Sequence, residues 1–96
     1  MSKPLIIVAK ITAKESAKEL VKAELLKLIE PSRNDKGCLQ YDLHTDNNDP
    51  CTFLFYEKWE TRELWQEHMN APHLEAMGKA TDGAIENVDV NEMTLA

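Results

Sequence analysis

The sequence predicts an α+β protein of ferredoxin-like βαββαβ order, an antiparallel sheet with helices on one face. Three observations point there. Short β-branched or alternating apolar runs are separated by segments of helical period. The second and third of those runs are joined only by the polar stretch Asp46-Asn47-Asn48-Asp49-Pro50, as in a hairpin. The length of 96 residues suits a single domain, taken as residues 1–96, and leaves no room for a second.

Leu5-Ile6-Ile7-Val8-Ala9-Lys10-Ile11 is short and β-branched, so it reads as the first strand. Ser16-Ala17-Lys18-Glu19 fits a capping box, and Thr12 to Glu15 offers the same pattern four residues earlier. Leu20, Val21, Leu25, Leu28 and Ile29 follow with helical spacing, and Pro31 and Gly37 bracket the exit. Gly37 to about Thr45 forms the second strand, with Leu39, Tyr41 and Leu43 on one face. Thr52 to Trp59 returns as the third, with Phe53, Phe55, Glu57 and Trp59 on one face. The register that makes one apolar face sets Tyr41 beside Phe55, Leu39 beside Glu57 and Gly37 beside Trp59.

Thr61 can cap the next helix, turning Leu64, Trp65, His68 and Met69 inward. Pro72 interrupts it, and a further helical stretch carries His73, Leu74 and Met77 towards Gly78 or Gly83. Glu86 to Leu95 reads as the last strand, with Val88, Val90, Met93 and Leu95 on one face interrupted at Asn91. Leu54 and Tyr56 lie on the other side of the hairpin. An apolar sheet face of that kind marks an interface, so the expected partner is a second copy, packed sheet to sheet.

Composition narrows the function classes. A net charge of −6 disfavours nucleic acid, because phosphate binding needs clustered Lys and Arg. No segment approaches the roughly 20 apolar residues that span a bilayer, and Met1-Ser2-Lys3-Pro4 enters the first strand without a secretory h-region. Cys38 and Cys51 have no CxxC spacing and read as free thiols in a reducing cytoplasm.

One constellation stands out: Gly37-Cys38-Leu39 with Tyr41, then Tyr56-Glu57-Lys58-Trp59, then His68 and Pro72-His73-Leu74. Together these resemble the antibiotic biosynthesis monooxygenase family, and within it the quinol monooxygenases of bacteria. The resemblance runs over nearly the whole chain. It implies a homodimer whose sheets pack into a shared dimeric α+β barrel, with a pocket in each subunit between sheet and helices. It also implies one of several chemistries: oxidation of phenols or quinols by O2 without metal, flavin or haem; haem degradation; or isomerisation of a phosphorylated sugar derivative. The haem-degrading relatives carry an asparagine in the first strand, whereas Ile7-Val8-Ala9-Lys10 has none.

Glu57 is the sharpest catalytic candidate. Burial between Phe55 and Trp59 would raise its pKa towards values useful for proton transfer, the alternative being a structural carboxylate bonded to a helix N-terminus or to Trp or His donors. His68 is the second, as a base or as the group that holds Glu57; a satisfied core histidine is the ordinary alternative. Tyr41, Trp59, Trp65, His73 and Met77 are candidate walls and mouth of a substrate pocket, since flat aromatic walls suit a planar ring, although core packing is the more ordinary role for Tyr41, Trp59, Trp65 and Met77, and an exposed loop position for His73. Two histidines and a glutamate match the count of a metal site. His68 and His73 stand five apart across a proline, however, so no metal is expected. The expected activity is cofactor-independent oxidation of a small aromatic quinol or phenol. The rivals are an isomerase needing an anion-binding group such as Lys10 or Arg62, and a non-enzymatic ligand-binding dimer.

Overall fold

A computed structural model describes residues 3–96; Met1 and Ser2, part of the expected approach to the first strand, lie outside the described residues. The strands are β1 (Leu5–Ala13), β2 (Cys38–Asp46), β3 (Asp49–Trp59) and β4 (Ile85–Met93). The helices are α1 (Lys18–Leu26), α2 (Ile29–Arg33), α3 (Arg62–Met69) and α4 (Pro72–Ala80). The sheet order is β2-β3-β1-β4 with every neighbouring pair antiparallel, which is the expected ferredoxin-like topology. No helix among the described residues is long and apolar enough to cross a membrane.

Period-2 alternation puts Ile7, Ala9, Ile11 and Ala13 of β1, and Phe53, Phe55, Glu57 and Trp59 of β3, on the covered side of the sheet. Val21 and Leu25 of α1, Leu28 after it, and Trp65 and His68 of α3 close over that side. Burying each large apolar side chain contributes about 1.5–3 kcal/mol. The opposite side carries Ile6, Val8, Leu54 and Tyr56, all half-buried, and the exposed Met93.

The hairpin register departs from expectation by two residues. Tyr41 stands opposite Glu57 and Leu43 opposite Phe55, although Tyr41 still touches Phe55 diagonally, with ring centroids 4.8 Å apart. The cause lies at the turn. Asp49 accepts hydrogen bonds from the Cys51 N–H at 3.0 Å and the Thr52 hydroxyl at 2.7 Å, and this local bonding curls the start of β3. Register therefore shifts between Asp46 and Thr45. A second irregularity, between Cys38 and Gln40, makes Leu39 the extra residue of a bulge. Leu39 is consequently turned out, 52% exposed, rather than seated beside Glu57.

Other expectations are corrected too. Ser16 caps nothing; it sits in a 3-10 turn, Glu15–Ala17, and Ala17 precedes α1 without a side-chain cap. Glu15 is engaged by Lys18 Nζ at 2.8 Å and Cys51 Sγ at 3.0 Å, which holds this tight turn. Pro31 lies within α2 rather than ending a helix, which is tolerated because the first-turn N–H has no intrahelical acceptor. Leu20 and Met69 are exposed, displaced from the buried stripe by the true helix phase. Val88 and Val90 stand opposite Ile11 and Ala9 on the covered side, whereas Met93 pairs with Ile6 on the other, so β4 has no single apolar face; Leu95 lies beyond the strand. Thr61 does cap α3, its hydroxyl accepting from the Leu64 N–H at 3.2 Å.

Gly37 fixes how the α2–β2 loop meets α3. Its φ is +85°, and a Cβ there would stand 2.5 Å from Leu64 Cδ1. Only glycine allows both that backbone conformation and that approach.

Candidate active site

Period-2 alternation on β3 points Glu57 into the covered side, where it is 4% exposed. Its Oε1 accepts a hydrogen bond from Trp59 Nε1 at 2.9 Å. Burial pushes the carboxyl up to about 7, against the Trp59 bond, which favours the ionised form. Tyr41 stands directly opposite on β2, and burial together with the nearby Glu57 pushes its phenol upward, so it keeps its proton.

His68 reaches the same place from α3. Its ring lies between Trp59, at 4.5 Å centroid to centroid, and the edge-on Tyr41 at 5.4 Å. Nε2 is 4.0 Å from Glu57 Oε1, and Nδ1 is 2.8 Å from Asp35 Oδ2. Asp35 Oδ2 also meets His73 Nε2 at 2.9 Å. Burial pulls His68 below the usual imidazole range, opposed by the Asp35 hydrogen bond and charge. The result is a chain of polar side chains, His73–Asp35–His68, leading from the partly exposed start of α4 to the buried Glu57.

Glu57 and His68 sit on the wall of a cavity of about 110 Å³ that is otherwise nearly all apolar. Ile7, Ala9 and Phe55 form its sheet side, and Leu74 and Met77 its helical side. Trp65 also lines it, and its indole N–H is buried without a hydrogen-bond partner. Of the seven candidate residues, Glu57, His68, Tyr41, Trp65 and Met77 meet at this cavity. Trp59 stands behind Glu57 and His73 behind Asp35, and neither is among the lining residues. A larger groove, about 320 Å³, runs past Arg33, Cys38 and Asp42, but its charges are spent on each other, Arg33 Nη2 lying 3.0 Å from Asp42 Oδ1.

Neither expected anion-binding group reaches the cavity. Lys10 is exposed on β1, opposite Leu54 on the uncovered side, and Arg62 is engaged by the Glu92 carboxylate at 2.6 and 3.3 Å. Among the described residues, Asp35, His68 and His73 are the one group with the donor set and proximity, within 4.8 Å of one another, to hold a metal ion. Both imidazoles address a single carboxylate oxygen, which is also the geometry of a shared hydrogen-bond acceptor.

Asp35 escaped sequence reasoning. It lies 33 and 38 residues from its two histidines, and its only local signal is membership of the turn-like run Asn34-Asp35-Lys36-Gly37. The thiols carry no comparable chemistry: burial raises Cys38, and the Glu15 hydrogen bond raises Cys51.

Comparison with known proteins agrees with this architecture. The crystal structure of PA3566 from Pseudomonas aeruginosa superposes with a TM-score of 0.95 at 34% identity, over 100% of this chain and 97% of that one. Rv0793 of Mycobacterium tuberculosis, named as a candidate monooxygenase, is 29% identical over 73 residues, 76% of this chain and 71% of that protein. The uncharacterized protein sll1783 of Synechocystis is 33% identical over 70 residues, 73% of this chain; the match spans about half of that relative, 48% of its length. The family model described as antibiotic biosynthesis monooxygenase matches residues 4–80. The chain belongs to the antibiotic biosynthesis monooxygenase family.

Proposed function

We propose that this chain is a cofactor-independent monooxygenase that oxidises a small aromatic quinol or phenol with O2. The observation that carries the reading is the placement of Glu57 and His68 4.0 Å apart on the wall of an otherwise apolar cavity. At about 110 Å³ the cavity is smaller than the apolar cavity of about 150 Å³ that takes benzene, so it limits the substrate to one aromatic ring, which would extend towards the exposed Met69, Val88 and Val90 on its rim. The substrate hydroxyl sits at the polar wall and the ring lies among Phe55, Ala9 and Met77.

His68 or Glu57 removes the hydroxyl proton, and the phenolate so formed carries electron density onto its ring. A ring carbon bearing hydrogen then bonds to O2, giving a hydroperoxide once that oxygen is protonated. Loss of the carbon-bound proton breaks the O–O bond. One oxygen stays as a carbonyl and the other leaves as water, so the substrate supplies all four electrons and no further reductant enters. The protein contributes water exclusion, orientation and a proton acceptor, which for a positioned general base is worth about 10²–10⁴ in rate.

Support for a sheet-to-sheet homodimer comes from the uncovered face bearing Ile6, Val8, Leu54, Tyr56 and Met93, and light scattering at micromolar concentration tests it. The two free thiols suit a cytoplasmic setting. The monooxygenase reading is tested by oxygen uptake with a panel of single-ring quinols and chelator-treated protein. The expected result is uptake above the uncatalysed rate that falls at least about 10²-fold in His68→Ala; uptake no greater than background across the panel contradicts it.

A further inference from the structure

We propose that Asp35 is a positioning residue for this site: it fixes His68 as the Nδ1–H tautomer and thereby turns the basic Nε2 towards Glu57, with His73 anchoring Asp35. The inference rests on the reading of His68 as the base and deepens it.

A carboxylate offers only acceptors, and a neutral imidazole has one N–H and one bare nitrogen. Asp35 Oδ2 lies 2.8 Å from His68 Nδ1 and 2.9 Å from His73 Nε2. Each of those nitrogens must therefore bring the hydrogen. His68 spends its single N–H on Asp35, and Nε2 is left with its lone pair. Nε2 faces Glu57 Oε1 at 4.0 Å, too long for a direct hydrogen bond. A hydroxyl group placed between them has an acceptor on either side, and its proton passes from oxygen to Nε2. Without Asp35 the opposite tautomer becomes favourable, with Nε2–H directed at the Glu57 carboxylate. That form has no base facing the cavity.

Three separate elements hold Asp35 in place. The Asp35 N–H donates to the Ser32 carbonyl at 3.1 Å, and its own carbonyl accepts from the Cys38 N–H at 3.1 Å. Gly37, two residues on, packs directly on Leu64 of α3, the helix that carries His68. His73, in the first turn of α4 after Pro72, supplies the second N–H to Oδ2 and so removes the carboxylate's freedom to rotate away. The side chains of Asp35 and His73 retain 23% and 20% exposure, whereas His68 retains 1%, so the buried ring is steered by an anion that itself stays partly hydrated.

The test reads the tautomer directly, in ligand-free, chelator-treated, uniformly 15N-labelled protein at neutral pH, by long-range 1H–15N correlation of the imidazole nitrogens. Wild type is expected to show His68 with protonated Nδ1 and bare Nε2. A hydrogen bond to a charged group implies a preference of roughly tenfold or more. In Asp35→Ala the preference collapses or reverses. In Asp35→Asn, which keeps the shape of the loop, the amide oxygen can take the place of Oδ2 and accept from both rings, so the Nδ1–H form of His68 is expected to persist with a smaller preference than in wild type. A wild-type spectrum with hydrogen on His68 Nε2 overturns the proposal, and that spectrum suffices even if the Ala variant fails to fold. An unchanged His68 spectrum in folded Asp35→Ala overturns it equally. Neither readout needs a substrate, so failure here is distinct from failure of the monooxygenase reading. Where a quinol substrate is in hand, Asp35→Ala is expected to lower kcat while KM stays near wild type.

Discussion

Glu57→Gln separates the buried carboxyl from its charge while nearly preserving its shape. Burial holds this group up at about 7 in the fold, against 4.5 in the unfolded chain. Below pH 4.5 the carboxyl is neutral in both states and costs nothing. Between 4.5 and 7 the unfolded chain ionises while the fold retains its proton, so folding takes up a proton and stability falls as pH rises. Above 7 the loss is complete. At about 1.4 kcal/mol per pH unit the gap is worth about 3 kcal/mol. The groups facing Glu57 are Trp59 Nε1–H, His68 Nε2, the Tyr41 phenol and the Cys38 thiol, and all remain in the variant. Their own titrations largely cancel in the difference. Urea unfolding of both proteins from pH 4 to pH 8.5 measures it. The wild-type stability minus that of Glu57→Gln should fall by about 3 kcal/mol across the range. A difference that is flat, or that rises with pH, refutes the burial of Glu57 as a proton-holding acid.

Two further outcomes follow from single contacts. Gly37→Ala forces a φ of +85° on a residue with a Cβ and drives that atom to 2.5 Å from Leu64 Cδ1, so urea unfolding should show a loss of about 2 kcal/mol or more; a change below about 0.5 kcal/mol contradicts the packing of this loop on α3. Trp59→Phe removes the one hydrogen bond that holds the Glu57 carboxyl down, so its 13C-detected titration midpoint should move above that of wild type, and an unchanged or lower midpoint speaks against the bond.

The features that could be read from the sequence are those set by local periodicity. Alternation along β3 suffices to place Phe55, Glu57 and Trp59 on one face, and helical spacing after the Thr61 cap suffices to aim His68 at them. Register was less legible. A plain hairpin about the Asp46–Pro50 stretch gives Tyr41 beside Phe55, but the Asp49 side chain bonds back to Cys51 and Thr52, and the slack it takes up moves the pairing by two residues. The slip is an even number, so every side chain kept its expected face and the site survived the error. Leu39 did not, because a bulge changes the parity locally. Asp35 was beyond reach for a different reason. Its role depends on the α2–β2 loop meeting α3 and α4, a tertiary contact that leaves no periodic trace in the chain.

Product analysis under 18O2 tests the central claim most directly. Purified, chelator-treated protein is given a single-ring quinol in buffer of ordinary water, and the product is trapped by reduction before its carbonyl oxygens exchange. The account predicts one 18O atom per product molecule, one water formed per O2 consumed, and no product when oxygen is excluded. Product formed at the same rate without oxygen, or product carrying no 18O, contradicts it.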